Sequence, residues 1–267
     1  MRLPERLLAT LLIALLLAAC GSGAGNARAT RVRWEGQMQD YAVRDDRGAR
    51  TRMRHQEVLR LAGDRYARGD LEAARGYARS AQKLAPDDPA AYTLQAAIEG
   101  RLGDQARAQA LYRKATELAP RQGEILNNYG AWLCANGYPA EALVWFDRAL
   151  EDAAYAARAE ALANAGGCAL DAGQNERAGQ DLRQALALTP TNAFALESMA
   201  RHAFLSGRNL EARAFYQRRL AAAQATASVL QLAIQIEERL GDTRAASRYQ
   251  QRLREEFPAG ATPNSQG

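Results

Sequence analysis

The chain has 267 residues, a formal charge of +5, 48% hydrophobic residues, two histidines and three cysteines. That length suits one large domain or a repeat array. Arginine carries nearly all the positive charge, with Lys83 and Lys114 the only lysines. The charges are interspersed with acids along a solvated surface and form no basic block, so nucleic acid is not an expected partner.

Met1 to Glu5 is polar and carries Arg2, and Arg6 adds a second positive charge. An uncharged apolar run of 13 residues, Leu7 to Ala19, ends in Leu17-Ala18-Ala19-Cys20. It is too short for a permanent spanning helix and fits the apolar core of a secretory signal peptide. Small residues immediately before a Cys resemble the lipobox of bacterial lipoproteins. The resemblance implies acylation of the Cys20 sulfur, cleavage before it, and acylation of the new amino group. The plainer alternative is an ordinary signal peptide with an incidental Cys. Gly21 and Ser22 stand where an inner-membrane retention signal places Asp. The expectation is therefore an outer-membrane lipoprotein facing the periplasm, with several acyl chains because one alone anchors marginally. Processing would leave 248 residues, and the loss of Arg2, Glu5 and Arg6 lowers the charge to +4.

Residues 20–53 read as the lipidated Cys and a flexible tether, with a short helical turn near Trp34 to Tyr41. About 30 flexible residues reach ~30 Å. From about residue 54 to 260 self-similarity dominates. Gly69, Gly103, Gly137, Gly173, Gly207 and Gly241 are spaced by 34, 34, 36, 34 and 34 residues. Pro86, Pro120, Pro190 and Pro258 each follow a repeat Gly by 17. An apolar-periodic run precedes each Gly and another follows it. Gly suits the left-handed turn that ends a helix. Asp70, Asp104 and Asp242 can cap the second helix, and Pro prevents its continuation.

Ala62, Ala96, Gly130, Gly166 and Ala200 place small groups where helices cross. Ala74, Ala108, Ala142, Ala178, Ala212 and Ala246 recur on the second helix. Tyr112, Phe146, Leu182 and Tyr216 supply bulk four residues further on. The pattern resembles the tetratricopeptide repeat (TPR) and implies an all-α, right-handed α-solenoid of six helix–turn–helix units. Their bounds are about 55–88, 89–122, 123–158, 159–192, 193–226 and 227–260. Unit three lacks the closing Pro and has two extra residues around Asp152 to Ala156. Unit five has Gln224 in place of that Pro. Residues 261–267 read as a disordered tail.

Little here points to catalysis. His55 and His202 fall in separate units, without neighbours at metal-ligand spacing. No phosphate-cradling loop is present. Glu237-Glu238 and Glu255-Glu256 read as solvated carboxylates. The expectation is no enzyme, metal, cofactor or small-molecule substrate. Cys134 and Cys168 lie three and five residues before their repeat glycines. Two residues subtend about 200° on a helix, so the pair can face each other across neighbouring first helices. The periplasm permits a disulfide, and the alternative is two buried, reduced cysteines. A solenoid's concave surface is lined by first helices. Counting along them selects Glu124, Asn127 and Ala131, then Glu160, Ala163, Gly167 and Leu170, then Phe194, Glu197, Arg201 and Phe204. Such a mixed set suits an extended peptide or a helix, and intramolecular packing is the competing reading.

Four stretches are more specific than the repeat itself: Asn127-Asn128-Tyr129-Gly130-Ala131-Trp132-Leu133-Cys134, Leu162-Ala163-Asn164-Ala165-Gly166-Gly167-Cys168, Met199-Ala200, and Leu253-Arg254-Glu255-Glu256-Phe257-Pro258. With the lipobox and six units, they resemble the PilF/PilW family of type IV pilus biogenesis lipoproteins. The resemblance implies a non-catalytic assembly factor, or pilotin, that assists the outer-membrane secretin, and it makes Cys134 and Cys168 a family-like pair. The alternatives are a lipid-anchored scaffold of β-barrel insertion or of cell-wall hydrolase regulation, and a cytochrome-maturation chaperone subunit.

Overall fold

The computed structural model describes residues 46–258. The apolar leader, Cys20, residues 20–45 of the stretch read as tether, and the tail 261–267 lie outside the described residues. Among the described residues there are twelve α-helices and no strand. They pair as six hairpins: α1 (Arg47–Ala67) with α2 (Leu71–Leu84), α3 (Pro89–Arg101) with α4 (Gln105–Leu118), and α5 (Gly123–Ala135) with α6 (Pro139–Leu150). The other three are α7 (Arg158–Asp171) with α8 (Asn175–Leu188), α9 (Ala193–Leu205) with α10 (Asn209–Ala222), and α11 (Ala227–Leu240) with α12 (Thr243–Glu256).

One reading of the tether needs correction. Residues 47–53 are the first two turns of α1, because Asp46 acts as its N-cap and accepts the Gly48 N–H at 2.9 Å.

The punctuation of the repeat has a physical cause at each hairpin. All six repeat glycines have positive φ, between +71° and +91°, a region in which a Cβ is strained. Asp70, Asp104 and Asp242 each accept a backbone N–H three residues on, at 3.4, 3.0 and 3.0 Å. The two units without a closing Pro use side chains instead. In unit five, buried Arg219 donates to the carbonyls of Ala223 and Gln224 at 3.3 and 3.0 Å. In unit three, the loop after α6 folds back on the start of α5. Asp152 accepts the Gly123 N–H at 2.8 Å and the Ala154 N–H at 2.9 Å. Those two donors hold its carboxyl below the usual range. It thereby caps a helix whose own N-cap, Gln122, makes no side-chain bond. Tyr155 from the same loop packs on Gly123, where a Cβ would stand 2.6 Å from its ring.

Each second helix packs on its own first helix and on the next one. Successive first helices also touch, whereas successive second helices make no comparable contact. First helices therefore line the inner face of the stack. The core runs along the hairpins, with Tyr129, Phe146 and Tyr216 fully buried. Each such side chain contributes about 1.5–3 kcal/mol of transfer free energy. Small residues make the crossings possible: a Cβ on Gly130 would lie 2.9 Å from the Phe146 ring.

Two hairpins bury a carboxylate four residues before their glycine, where units three to five carry Leu133, Ala169 and Ala203. Glu99 is ringed by Arg107, Arg79 and Arg75 at 3.3, 3.5 and 3.8 Å. Glu237, read from sequence as solvated, is 1% exposed. It accepts from Arg213 and from the Tyr216 hydroxyl. Its neighbour Glu238 is the exposed member of the pair. The array ends on a polar face. Helix α12 buries Ala245, Ala246 and Leu253, sets Tyr249 edge-on to Tyr216, and exposes Arg244, Ser247, Arg248 and Gln251. No described helix is long and apolar enough to cross a membrane.

Candidate protein-binding clefts

Two clefts open between first helices. The first, about 550 Å³, lies among α1, α3 and α5. Its wall is aromatic and pinned. The Trp132 Nε1–H donates to Gln105 at 3.2 Å, and the ring lies 5.7 Å from Tyr112. Arg101 sits 4.8 Å over the Tyr66 ring and donates to the Tyr66 carbonyl at 3.1 Å. Burial raises the Tyr112 hydroxyl well above its usual range, so it stays neutral. Glu124 and Ala131, selected from sequence, line this cleft, as do Asn128 and Asn136.

The second cleft, about 520 Å³, runs across α5, α7, α9 and α11. Its apolar wall comes from Ala131, Ala135, Phe194 and Leu232, backed by the buried Phe146. Phe194 is 51% exposed. Its ring rests on α7 because Gly167 has no side chain; a Cβ there would stand 2.8 Å from two ring carbons. Cys134 and Cys168 form a disulfide in the wall, with Cα atoms 5.9 Å apart, and join α5 to α7. Polar groups edge the same surface. Arg201 pairs with Asp171 at 2.8 Å. Asn164, on the cleft wall, donates to Asn127 at 3.2 Å. Glu197 accepts from Ser228 at 2.6 Å and pairs with Arg219 at 3.3 Å, so it binds three helices together.

Of the residues selected from sequence, Ala131, Gly167, Phe194, Glu197 and Arg201 meet in the second cleft. The others do not. Ala163 is 1% exposed and packs with Leu162 and Leu182; Leu170, at 6%, belongs to the core around Phe146. Asn127 is buried and reaches the cleft only through Asn164. Phe204 packs on the core of the last two units beneath Arg239, and Glu160 is exposed outside both clefts. The cleft-lining stripe on α7 is 164, 167, 168 and 171, and on α9 it is 194, 197, 198 and 201. Both follow i, i+3, i+4, i+7, the spacing of one helix face. On α9 the sequence count ran on to i+10, which at 100° per residue stands about 80° from position i and so at the margin of that face; on α7 it began at 160, four residues before the stripe. It missed Asn164, Asp171 and Ser198, although the face rule would have found the first two from Gly167 and the third from Phe194.

Neither histidine opens to a cleft. His55 pairs with Asp88 at 3.0 Å. His202 sits between the Asn175 carbonyl at 3.0 Å and Arg208 at 3.2 Å. Burial, then the Arg208 charge, hold its pKa below the ordinary value. Among the described residues no group of three His, Cys, Asp or Glu could hold a metal ion. What the clefts offer is shape, apolar area and hydrogen-bonding groups, the equipment for holding a peptide segment.

Comparison with known proteins agrees with this geometry. The tetratricopeptide repeat family matches residues 89–122 and 159–192, which are units two and four. The crystal structure of PilW, described as a widely conserved type IV pilus biogenesis factor, is 30% identical with a TM-score of 0.70; the match covers 76% of this chain and 94% of PilW. PilF of Pseudomonas aeruginosa is 22% identical at a TM-score of 0.68, covering 79% of this chain and 96% of PilF. A tetratricopeptide protein of Parabacteroides merdae is 18% identical at 0.62, covering 76% and 78%. These last two likenesses bear on the fold alone. No curated protein matches the sequence significantly.

Proposed function

Since this chain belongs to the PilF/PilW-like tetratricopeptide family of type IV pilus biogenesis proteins, we propose that it is a non-catalytic assembly factor, a pilotin for the outer-membrane secretin through which the pilus emerges. Acylated Cys20 holds it on the periplasmic side of the outer membrane, and the inner face of the repeats takes a segment of the secretin or of another pilus protein. The match along 94% of PilW at 30% identity carries the reading. The second cleft supports it, because a half-exposed Phe194 beside hydrogen-bonding Asn164 and Ser198 suits an apolar side chain on a peptide backbone.

The test is a deletion strain scored for secretin multimers and surface pili, both of which should fall. A Cys20→Ser chain should be neither acylated nor cleaved at this site, and secretin multimers should then form in the wrong membrane. Phe194→Ser should weaken partner capture while far-UV circular dichroism stays unchanged, since that ring lies outside the core. Normal pili and a normal secretin ladder in the deletion strain would overturn the pilotin role and favour a different envelope scaffold.

A further inference from the structure

We propose that the first two turns of α1 are a docking surface for an anionic lipid bilayer. Helix α1 has 21 residues, whereas the other first helices have 13 or 14. The excess lies at its N-terminus, Arg47-Gly48-Ala49-Arg50-Thr51-Arg52-Met53-Arg54, which holds four arginines and no acid and is thus a local exception to the interspersed charge of the chain. No residue from 46 to 54 is buried, and the first buried side chain of the helix is Ala62. These turns therefore do not serve the core.

The charge placement also works against the helix. A helix N-terminus carries partial positive charge and favours acids in its first turn, yet none is present there. With Asp46 included, the segment has a net charge of +3. The Arg52–Asp46 pair is loose, at 3.9 Å between largely exposed side chains. A positive stripe on turns that add nothing to the core marks a surface shaped by something outside the fold. Arg47, Arg50 and Arg54 share one helix face at the i, i+3, i+7 spacing, and Met53 beside them is 70% exposed.

Position selects the partner. Asp46 follows Cys20 by 26 residues, which span at most ~90 Å at 3.3–3.6 Å each. A chain of that reach lets the basic helix end come within a Debye length of the bilayer, where acidic headgroups attract it, and it supplies a second contact beside the acyl chains. The surface rests on the anchoring reading for its nearness to the membrane and not for its chemistry.

The test uses residues 21–267, which lack the apolar leader and Cys20 and keep every described residue, so its outcome is independent of whether Cys20 is modified. Partition onto vesicles of mixed phosphatidylglycerol and phosphatidylcholine is compared with partition onto phosphatidylcholine alone. Each arginine near such a surface strengthens binding about fivefold, so Arg47→Glu/Arg50→Glu/Arg54→Glu should lower partition onto the acidic vesicles at least ~10-fold. Raising salt should weaken the parent in the same way. The substituted acids suit a helix start, and circular dichroism checks that the fold is kept; Arg47→Gln/Arg54→Gln is the milder variant should the triple fail to fold. Unchanged partition of either folded variant, or equal binding of the parent to neutral vesicles, would overturn the proposal. Tighter binding to single-stranded RNA than to acidic vesicles would also overturn it, in favour of a nucleic-acid surface.

Discussion

Gly166 and Gly167 are adjacent on α7, yet the same substitution should act on them in opposite ways. A Cβ on Gly166 would lie 2.6 and 2.9 Å from Leu182 side-chain carbons and 3.1 Å from the Leu182 backbone nitrogen. Leu182 is fully buried, so it has nowhere to move. Carbon contacts settle at ~3.5–4.0 Å, which requires α7 and α8 to part by about 1 Å. Overpacking of that kind costs ~1–3 kcal/mol, and the helix-propensity gain of Gly→Ala returns ~0.5–1 kcal/mol. Gly166→Ala should therefore destabilise the array by roughly 1–2 kcal/mol. At Gly167 the obstacle is the Phe194 ring at 2.8 Å, half exposed and free to swing outward. Gly167→Ala should leave stability within ~0.5 kcal/mol of the parent, or raise it, while reshaping the second cleft. Urea unfolding followed by far-UV circular dichroism measures both variants on one scale. Equal losses at the two positions would refute the reasoning, because they would mean that Phe194 is as confined as Leu182.

Other expectations follow from the packing. The bond between Cys134 and Cys168 closes a 34-residue separation, worth ~4 kcal/mol in the chain-entropy treatment. Replacing both by Ser should lower the urea midpoint, and a midpoint insensitive to reductant would contradict it. Glu237→Ala removes the acceptor of the buried Tyr216 hydroxyl and leaves Arg213 only Asp242, at 3.6 Å; a loss of about 2 kcal/mol is expected, and a loss confined to a few tenths would show the pair to be dispensable. His202 has a folded pKa below its unfolded value, so the folded state favours the neutral ring. Its contribution is fully present above the ordinary imidazole value and is lost as pH falls through the lowered one. His202→Gln should flatten stability across that acid window; an unchanged slope would remove His202 as its source.

The repeat was legible because two local rules recur with it. Glycine at a left-handed helix end and proline after a hairpin need no knowledge of tertiary structure, and the six glycines at positive φ occupy the positions that the spacing selected. The clefts were only partly legible. Helical periodicity fixes angles along one helix but not the direction from which its neighbour approaches, so Leu170 and Phe204 were assigned to an open face that adjoining hairpins cover. Glu237 shows a further limit. Its burial depends on Arg213 and Tyr216, more than 20 residues upstream, a distance at which adjacent carboxylates carry no local signal. The capping of α5 by Asp152 is similar: the extra residues of unit three were visible as a departure from the period, but not their partner 29 positions earlier.

The disulfide also has a mechanical consequence. Stacked hairpins pulled from their ends can peel one at a time, each lengthening the chain as it opens. Cys134 and Cys168 are covalently joined across α5 and α7, so tension bypasses the 34-residue separation they enclose and withholds ~110–120 Å of contour length from extension. Hairpins on either side can yield under load while the two helices bearing the bond stay side by side. The middle of the array is thus the portion whose length is fixed by chemistry and not by packing alone.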